Sequence, residues 1–148
     1  MGKVKIGSTS GDVELRLSGE TDSVKIGSTS GTVVLETEKA GKIEAGSTSG
    51  SVEVRAEEAG EVKIGTTSGS IWVTVKKSDR ISVSSTSGSI TAGLSEDPGF
   101  TADINTVSGS VDCSVKTEKN GNRYICGNGS TEANLSTVSG SIRIEAAE

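Results

Sequence analysis

Hydroxyl side chains beside a glycine are the first candidates for chemistry in this chain of 148 residues. The tetrapeptide Ser-Thr-Ser-Gly occurs at residues 8–11 and returns six more times with at most two changes. A serine becomes a nucleophile only beside a general base, and the sequence contains no histidine. Ser-His-Asp and Cys-His arrangements therefore cannot form, and the repeated serines are predicted to be structural.

The two cysteines, Cys113 and Cys126, are candidates for a disulfide or a metal site. Cys113 falls in a column that is apolar in every other repeat, which favours a buried thiol. Cys126 follows Asn120-Gly121, the strongest hairpin-turn dipeptide, and pairing across that turn places it opposite Val115. A disulfide between the two cysteines stays open as the second alternative, whereas a metal site has no histidine ligand.

Acidic residues are candidates for calcium ligands. Adjacent acids occur at Glu57-Glu58 and Glu96-Asp97, but the glycine-rich nonapeptide of calcium-binding solenoids is absent, so a solvated charged rim is the favoured interpretation. The formal charge of −5 argues against nucleic acid as a partner. No apolar run is long enough to span a membrane. We therefore predict no catalytic residue, no cofactor and no metal.

Aromatic residues are rare, and two of them, Trp72 and Tyr124, are candidates for contact with a partner. A surface tryptophan can stack on a sugar or on an apolar side chain of another protein. The alternative is that Trp72 covers the stems of charged neighbours. This second interpretation is favoured, since a lone surface tryptophan more often covers its neighbours than binds a ligand. Three aromatic residues are also too few to line the cleft of a polysaccharide lyase.

The spacing of the motif glycines predicts the elements that position these residues. Successive glycines are separated by 20, 19, 19, 19, 21 and 31 residues, and a fixed period near 20 indicates stacked repeats. Apolar and polar residues alternate on both sides of each glycine, which predicts two strands per repeat. The alternation shifts by one residue at the glycine, so we expect a corner there, with Ser8 and Ser10 inward and Thr9 outward. The predicted corner residues are Gly11, Gly31, Gly50, Gly69, Gly88, Gly109 and Gly140.

The pattern predicts an all-β fold, a single-stranded parallel β-solenoid of about seven coils of about 19–20 residues each. It forms one domain over residues 1–148, with a β-hairpin insertion at 115–129 that projects from the solenoid. An antiparallel sandwich does not explain why one column repeats the same residue. Because the chain enters a repeat at once, we expect a fragment of a longer protein. Its first coil is then covered by upstream sequence or by end-to-end self-association.

The repeated Ser-Thr-Ser-Gly-x-(Val/Ile) unit resembles the bacterial "putative adhesin" β-solenoid family, a domain of unknown function. Residues 126–144, which run from Cys-Gly-Asn-Gly to Ser-Gly-Ser-Ile-Arg-Ile, are similar to the C-terminal pattern of that family. The resemblance implies a right-handed β-helix displayed at the bacterial cell surface, with no established catalytic residues. It also implies a link to envelope stress, because some relatives take part in sensing antimicrobial peptides.

These observations lead to one principal functional hypothesis and two alternatives. The principal hypothesis is a non-enzymatic, extracytoplasmic adhesion or display module that binds a protein or a glycan at the cell surface. The first alternative is a cell-envelope stress module that binds cationic antimicrobial peptides through its acidic turns. The second is a polysaccharide-acting enzyme, which needs a cluster of basic or carboxylate groups that the columns do not place on one face.

Overall fold

Valine, isoleucine and threonine suit the pleated surface of a sheet, and the segments in which they alternate with polar residues form strands. The computed structural model describes residues 2–94, 99–113, 118–120, 123–127 and 131–146, and every regular element in these ranges is a strand. In chain order the strands are β1 (Lys3–Ser10), β2 (Val13–Ser30), β3 (Val33–Ser49), β4 (Val52–Ser68), β5 (Ile71–Ser85), β6 (Ile90–Leu94), β7 (Gly99–Thr106), β8 (Val111–Cys113), β9 (Glu118–Asn120), β10 (Arg123–Gly127), β11 (Thr131–Thr137) and β12 (Ile142–Ala146).

The long strands β2 to β5 bend around the solenoid, and each pairs in parallel with the strand one repeat later. The lysine face is the outer surface of the segments that precede the corner glycines, residues 3–10, 23–30, 42–49, 61–68 and 80–85. The tryptophan face is the outer surface of the segments that follow the corners, residues 13–17, 33–37, 52–56, 71–75 and 90–94. Like residues stack in register between layers, which confirms the predicted all-β solenoid.

The core lies between the two faces and consists of stacked aliphatic ranks. Val33 pairs with Val52 and Leu35 with Val54, and all four side chains are fully buried. Leu15, which pairs with Leu35 from the first coil, is only half-buried. Each rank therefore gains its burial from the layers on both sides, as expected for a solenoid in which repeats contact only their neighbours.

The corner glycines stack so closely that no side chain fits between them. A Cβ atom on Gly50 would overlap the carbonyl oxygen of Gly31. Gly11 and Gly31 also have positive φ angles of 125° and 135°. Close approach of the backbone is thus the property that requires glycine along most of the column. The order of stacking is Gly11, Gly31, Gly50, Gly69, Gly88, Gly140 and Gly109.

The hydroxyl residues of the motif divide between the core and the surface. Ser47 and Ser85, the equivalents of Ser8, are buried, and Thr9 is exposed. Ser10 is exposed as well, so the predicted inward orientation of Ser10 is wrong. The chain has already turned away from the core before it reaches the glycine, and Val13 is the next buried residue.

The first repeat is one residue longer than the next three, and a β-bulge accommodates the difference. The register between β2 and β3 shifts between Leu17 and Glu20. Gly19, within this bulge, has a φ of 81°, a left-handed conformation that glycine adopts without steric cost. The charged turns therefore tolerate an added residue without disturbing the ranks of the core.

The solenoid has about five turns, so the predicted count of seven coils is slightly too high. The last two repeats stack out of chain order, because β11 lies between β5 and β7, and β12 lies between β6 and β8. Arg80 Nη2 of β5 lies 3.8 Å from Glu132 Oε2 of β11, whereas Thr101 takes this position in β7. Opposite charges therefore favour β11 as the neighbour of β5.

Strands β9 and β10 pair antiparallel, with Ile125 opposite Glu118. The predicted register, which placed Cys126 opposite Val115, is wrong by two residues. The backbone of Cys126 instead faces Phe100, since β10 also pairs antiparallel with β7. The β9–β10 pair thus extends the sheet at the open edge of β7 and does not project from it. Residues 115–117, 121–122 and 128–129 of the predicted hairpin lie outside the described residues.

Candidate functional site

A groove with a glycine floor runs along the solenoid axis on the lysine face. Gly27, Gly46 and Gly65 pair in register and occupy the same outward position in three successive layers. A Cβ atom on Gly27 would have no atom within 4 Å, and one on Gly46 would meet only the carbonyl oxygen of Gly65, at 3.6 Å. The missing side chains leave an open volume of about 590 Å³, which Ser84 limits in the next layer.

The two rims of the groove differ in chemistry. One rim carries Lys25, Glu44 and Lys63 in adjacent layers, and the other carries the exposed hydroxyls of Thr48 and Thr67. Layers in such a ladder repeat about every 4.8 Å. The groove therefore offers charged groups along one side, hydroxyl groups along the other and backbone at its floor.

Several charged columns elsewhere on the solenoid alternate in sign from layer to layer, although Glu38 and Glu57 occupy the same position in adjacent layers. Glu20, Lys39 and Glu58 stack in register at the turns, and Lys39 Nζ lies 3.8 Å from Glu20 Oε1 and 3.4 Å from Glu58 Oε2. On the tryptophan face Arg16 stacks on Glu36, with Nε 3.9 Å from Oε2. These pairs are exposed and individually weak, but alternation avoids repulsion between neighbouring layers.

The column at the rim of the groove breaks this alternation. Lys5 and Lys25 pair in register with the same charge, followed by Glu44 and Lys63. Lys5, Lys25 and Lys63 form no ion pair with any residue that the structure describes. Like charges in adjacent layers destabilise a sheet, so the step from Lys5 to Lys25 costs stability, whereas Lys25, Glu44 and Lys63 alternate in sign.

The two aromatic candidates for partner contact are not brought together. Trp72 lies on the tryptophan face between Glu53 and Thr91, and its side chain is 44 % exposed. Tyr124 of β10 is half-buried and packs on the end of the core. The two residues therefore cannot form one aromatic site.

Two exposed valines mark the far end of the corner edge. Val107 is 81 % exposed and Val138 48 % exposed, and they replace the threonine of the motif in adjacent layers. The backbone of Ser108 links these layers by donating to the carbonyl oxygen of Val138 at 2.9 Å. Two valines make a small apolar patch, far below the size typical of a protein interface.

The side chains that could bind a metal ion do not cluster in the described ranges. No group of three or more cysteine, aspartate or glutamate side chains comes together there. The backbone of Cys113 pairs with that of Ile144, and the backbone of Cys126 pairs with that of Phe100. The side chains of both cysteines lie outside the described part of the chain, as does the predicted acid pair Glu96-Asp97. Glu58 of the predicted acid pair is held by Lys39. The described residues also contain no helix long and apolar enough to cross a membrane.

Sequence reasoning did not identify the groove. The available signal was a glycine at one outward position in four successive repeats, Gly7, Gly27, Gly46 and Gly65. Glycine is unfavourable in a strand interior, so its repetition at an outward site indicates a place where another molecule or backbone approaches closely.

The stacked parallel layers, the aliphatic ranks and the glycine corners define a repeat protein of the β-solenoid class. The chain belongs to the Toastrack DUF4097 family, whose model matches residues 1–145. This match confirms the family that the Ser-Thr-Ser-Gly repeats indicate. Comparison with curated proteins finds no match to the sequence.

A solved structure with a similar fold comes from Clostridium sporogenes ATCC 15579 and is described as "a putative cell adhesion protein". The superposition has a TM-score of 0.61 and covers 97 % of this chain and 92 % of the other. The two sequences are 13 % identical, so the likeness concerns the fold alone.

Proposed function

We propose that this chain is a non-enzymatic, extracytoplasmic module for adhesion or display, and that the groove on the lysine face is its binding site. The groove is the observation that carries the proposal. It is open along its length, its rims carry exposed lysine and threonine side chains, and it spans successive layers without a side chain on its floor. The similarity to a protein described as a putative cell adhesion protein supports the same role.

The non-enzymatic part of the proposal is supported by the chemistry of the groove. Its lining contains one carboxylate, Glu44, and two amines, Lys25 and Lys63, with hydroxyl groups opposite. Most glycoside hydrolases use a pair of carboxylates flanking the scissile bond, and the lining of the groove holds only one. Release of reducing ends from any polysaccharide by the purified protein would contradict this part.

Binding through acidic turns, as in the antimicrobial-peptide alternative, receives less support. Glu20 and Glu58 both lie beside Lys39, and Glu61 lies 3.9 Å from Lys42. A cationic peptide would have to compete with these lysines. Calorimetry with a cationic peptide at two salt concentrations tests the alternative; salt-sensitive binding that persists after the groove is filled would favour it.

The proposal is tested with labelled protein on bacterial cell walls, immobilised matrix proteins and glycans. We expect binding to at least one of these surfaces and its loss in Gly46→Val, because the added side chain projects into the groove. Val107→Ala, at an exposed residue outside the groove, is the surface control. Trp72→Ala tests separately the remaining proposal that Trp72 contacts a partner. Absence of binding to all three surfaces, or equal binding by Gly46→Val, would overturn the assignment of the groove.

Location outside the membrane is tested separately in the native bacterium. An antibody against this domain should label intact cells, and external protease should remove the signal. Labelling only after the cells are permeabilised would contradict an extracytoplasmic role.

A further inference from the structure

We infer that the groove binds an extended polysaccharide bearing carboxylate groups, with Lys25 and Lys63 as its charge contacts. The inference rests on the proposed function and narrows it to one class of ligand. It follows from the charge of the lysine face, from the irregular lysine column and from the shape of the groove.

The lysine face is basic although the protein is acidic. Its five segments carry six basic side chains and two acidic ones, and the equivalent segments of β11 and β7 that continue the face add Glu132 and Asp103. The whole chain has a formal charge of −5. The basic residues are Lys3, Lys5, Lys25, Lys42, Lys63 and Arg80, and the acidic ones are Glu44 and Glu61. A local positive field on an otherwise acidic surface selects an anionic ligand and orients it toward this face.

The lysines at the groove are the ones that remain available. Lys42 and Arg80 of the same face are engaged by Glu61 and Glu132, at 3.9 and 3.8 Å. Lys25 and Lys63 have no such ion pair among the described residues, although Glu44 lies between them in the column, and Lys25 also stacks on the like charge of Lys5. A feature that lowers stability without a compensating contact is expected at a functional site. The carboxylates of a ligand would supply the missing partners.

The shape of the groove favours a chain molecule. The floor of Gly27, Gly46 and Gly65 is continuous over three layers, so a linear polymer can lie along the solenoid axis. Thr48 and Thr67 present hydroxyls that both donate and accept hydrogen bonds, as sugar hydroxyls require. A planar membrane surface would not enter a concave groove.

A nucleic acid strand fits the groove less well than a sugar chain. Single-stranded nucleic acids are held by aromatic side chains on which the bases stack. The lining of the groove contains no aromatic residue. Trp72 is on the opposite face. The hydroxyl rim therefore points to saccharide and not to base recognition.

The experiment measures binding of oligogalacturonate to the purified full chain by calorimetry. Dextran, an unrelated single-stranded DNA and phosphatidylglycerol vesicles are the comparison ligands. We expect binding of oligogalacturonate only, and a loss of affinity as salt increases. Preference for the DNA or the vesicles would overturn the ligand class.

Paired variants locate the site. Lys25→Ala combined with Lys63→Ala should weaken binding roughly tenfold, since each exposed ion pair contributes a few-fold at most. Lys76→Ala combined with Lys77→Ala changes the net charge equally on a turn outside the groove and should leave affinity unchanged. Equal losses in the two double variants would show a non-specific charge effect and overturn the inference.

A variant that preserves every charge separates the contribution of groove shape to binding from the contribution of charge. Gly46→Val fills the floor of the groove and should abolish binding of oligogalacturonate, while thermal melting verifies that it folds. If it binds like the parent chain, the groove is not the site. If the parent binds bacterial walls but not oligogalacturonate, the ligand class is wrong and the proposed function stands. If it binds neither, both are overturned.

Discussion

Replacement of single glycines by alanine distinguishes the two kinds of glycine column in this fold. Gly50 and Gly46 belong to the same layer and lie only a few residues apart. A Cβ atom on Gly50 would overlap the carbonyl oxygen of Gly31, whereas one on Gly46 would be 3.6 Å from its nearest neighbour outside the local chain. Neither residue has a positive φ. The comparison therefore isolates close approach of the backbone from conformational strain.

The expected changes in stability have opposite signs. Forcing an extra carbon into the packed corner at Gly50 should cost about 1–3 kcal/mol of unfolding free energy. Alanine at Gly46 should add about 0.4–1 kcal/mol, because it restricts the unfolded chain without strain in the folded one. In urea, with a slope of about 1–3 kcal/mol/M, the two midpoints should differ by roughly 1 M.

Hydrogen exchange supplies a local measurement of the same event. The amide of Val33 donates to the carbonyl oxygen of Ser51 at 2.8 Å, next to the corner glycine of that layer. Displacement of the corner by Gly50→Ala should weaken this bond and speed exchange at Val33, whereas Gly46→Ala should leave it protected. Two variants with equal midpoints and equal protection at Val33 would refute the interpretation of the corner column.

Other perturbations test the core, the inserted strand and the ends. Thr37 is 4 % exposed and its hydroxyl has no hydrogen-bond partner among the described residues, so Thr37→Val should stabilise the fold by about 1 kcal/mol in urea unfolding. Thr66→Val is its contrast and should destabilise by about 0.5–1.5 kcal/mol, since Thr66 Oγ1 donates to Ser85 Oγ at 3.3 Å; a gain in stability would contradict this. Leu135 of β11 is fully buried, so Leu135→Ala should cost about 2–5 kcal/mol and expose amides of both β5 and β7 to exchange, while the exposed Val107→Ala should change stability little. End-to-end self-association stays a prediction, and a single monomer in light scattering at high concentration would contradict it.

The sequence predicts those parts of the fold that are repeated in every layer. Valine, isoleucine and leucine recur two and four residues after each motif glycine, and these columns became the buried ranks, as at Val33 and Leu35. The shift of phase at the glycine likewise predicted the corner. Such features depend on local pattern, which is the same whichever layer lies above or below.

The order of the layers cannot be read from the repeats, because equivalent coils present nearly identical ranks to one another. Leu135 and Ile104 occupy the same position in β11 and β7, and either could pack on Val83 of β5. What separates the two arrangements is a few charges outside the repeated pattern, such as Glu132 beside Arg80. The reversed order of the last two repeats was therefore beyond the sequence argument.

The groove was missed for a different reason. Its floor is the backbone of Gly27, Gly46 and Gly65. In the sequence these glycines only indicate positions of low strand propensity in otherwise regular strands. Whether glycine in a strand forms a corner or a floor depends on which face it occupies. That distinction follows only once the register between layers is known.

Both departures from a stable stack occur at the same place, and this coincidence is the strongest argument for a binding role. A glycine in a strand interior costs roughly 0.5–1 kcal/mol relative to alanine, and the outward column repeats it from Gly7 to Gly65. The adjacent column places Lys5 on Lys25, whereas Glu20, Lys39 and Glu58 at the turns alternate in sign. Since an alanine at Gly46 would meet no close contact, the fold itself does not require glycine there. A site that gives up stability in two independent ways along one line of the surface is best explained by a ligand that lies along that line.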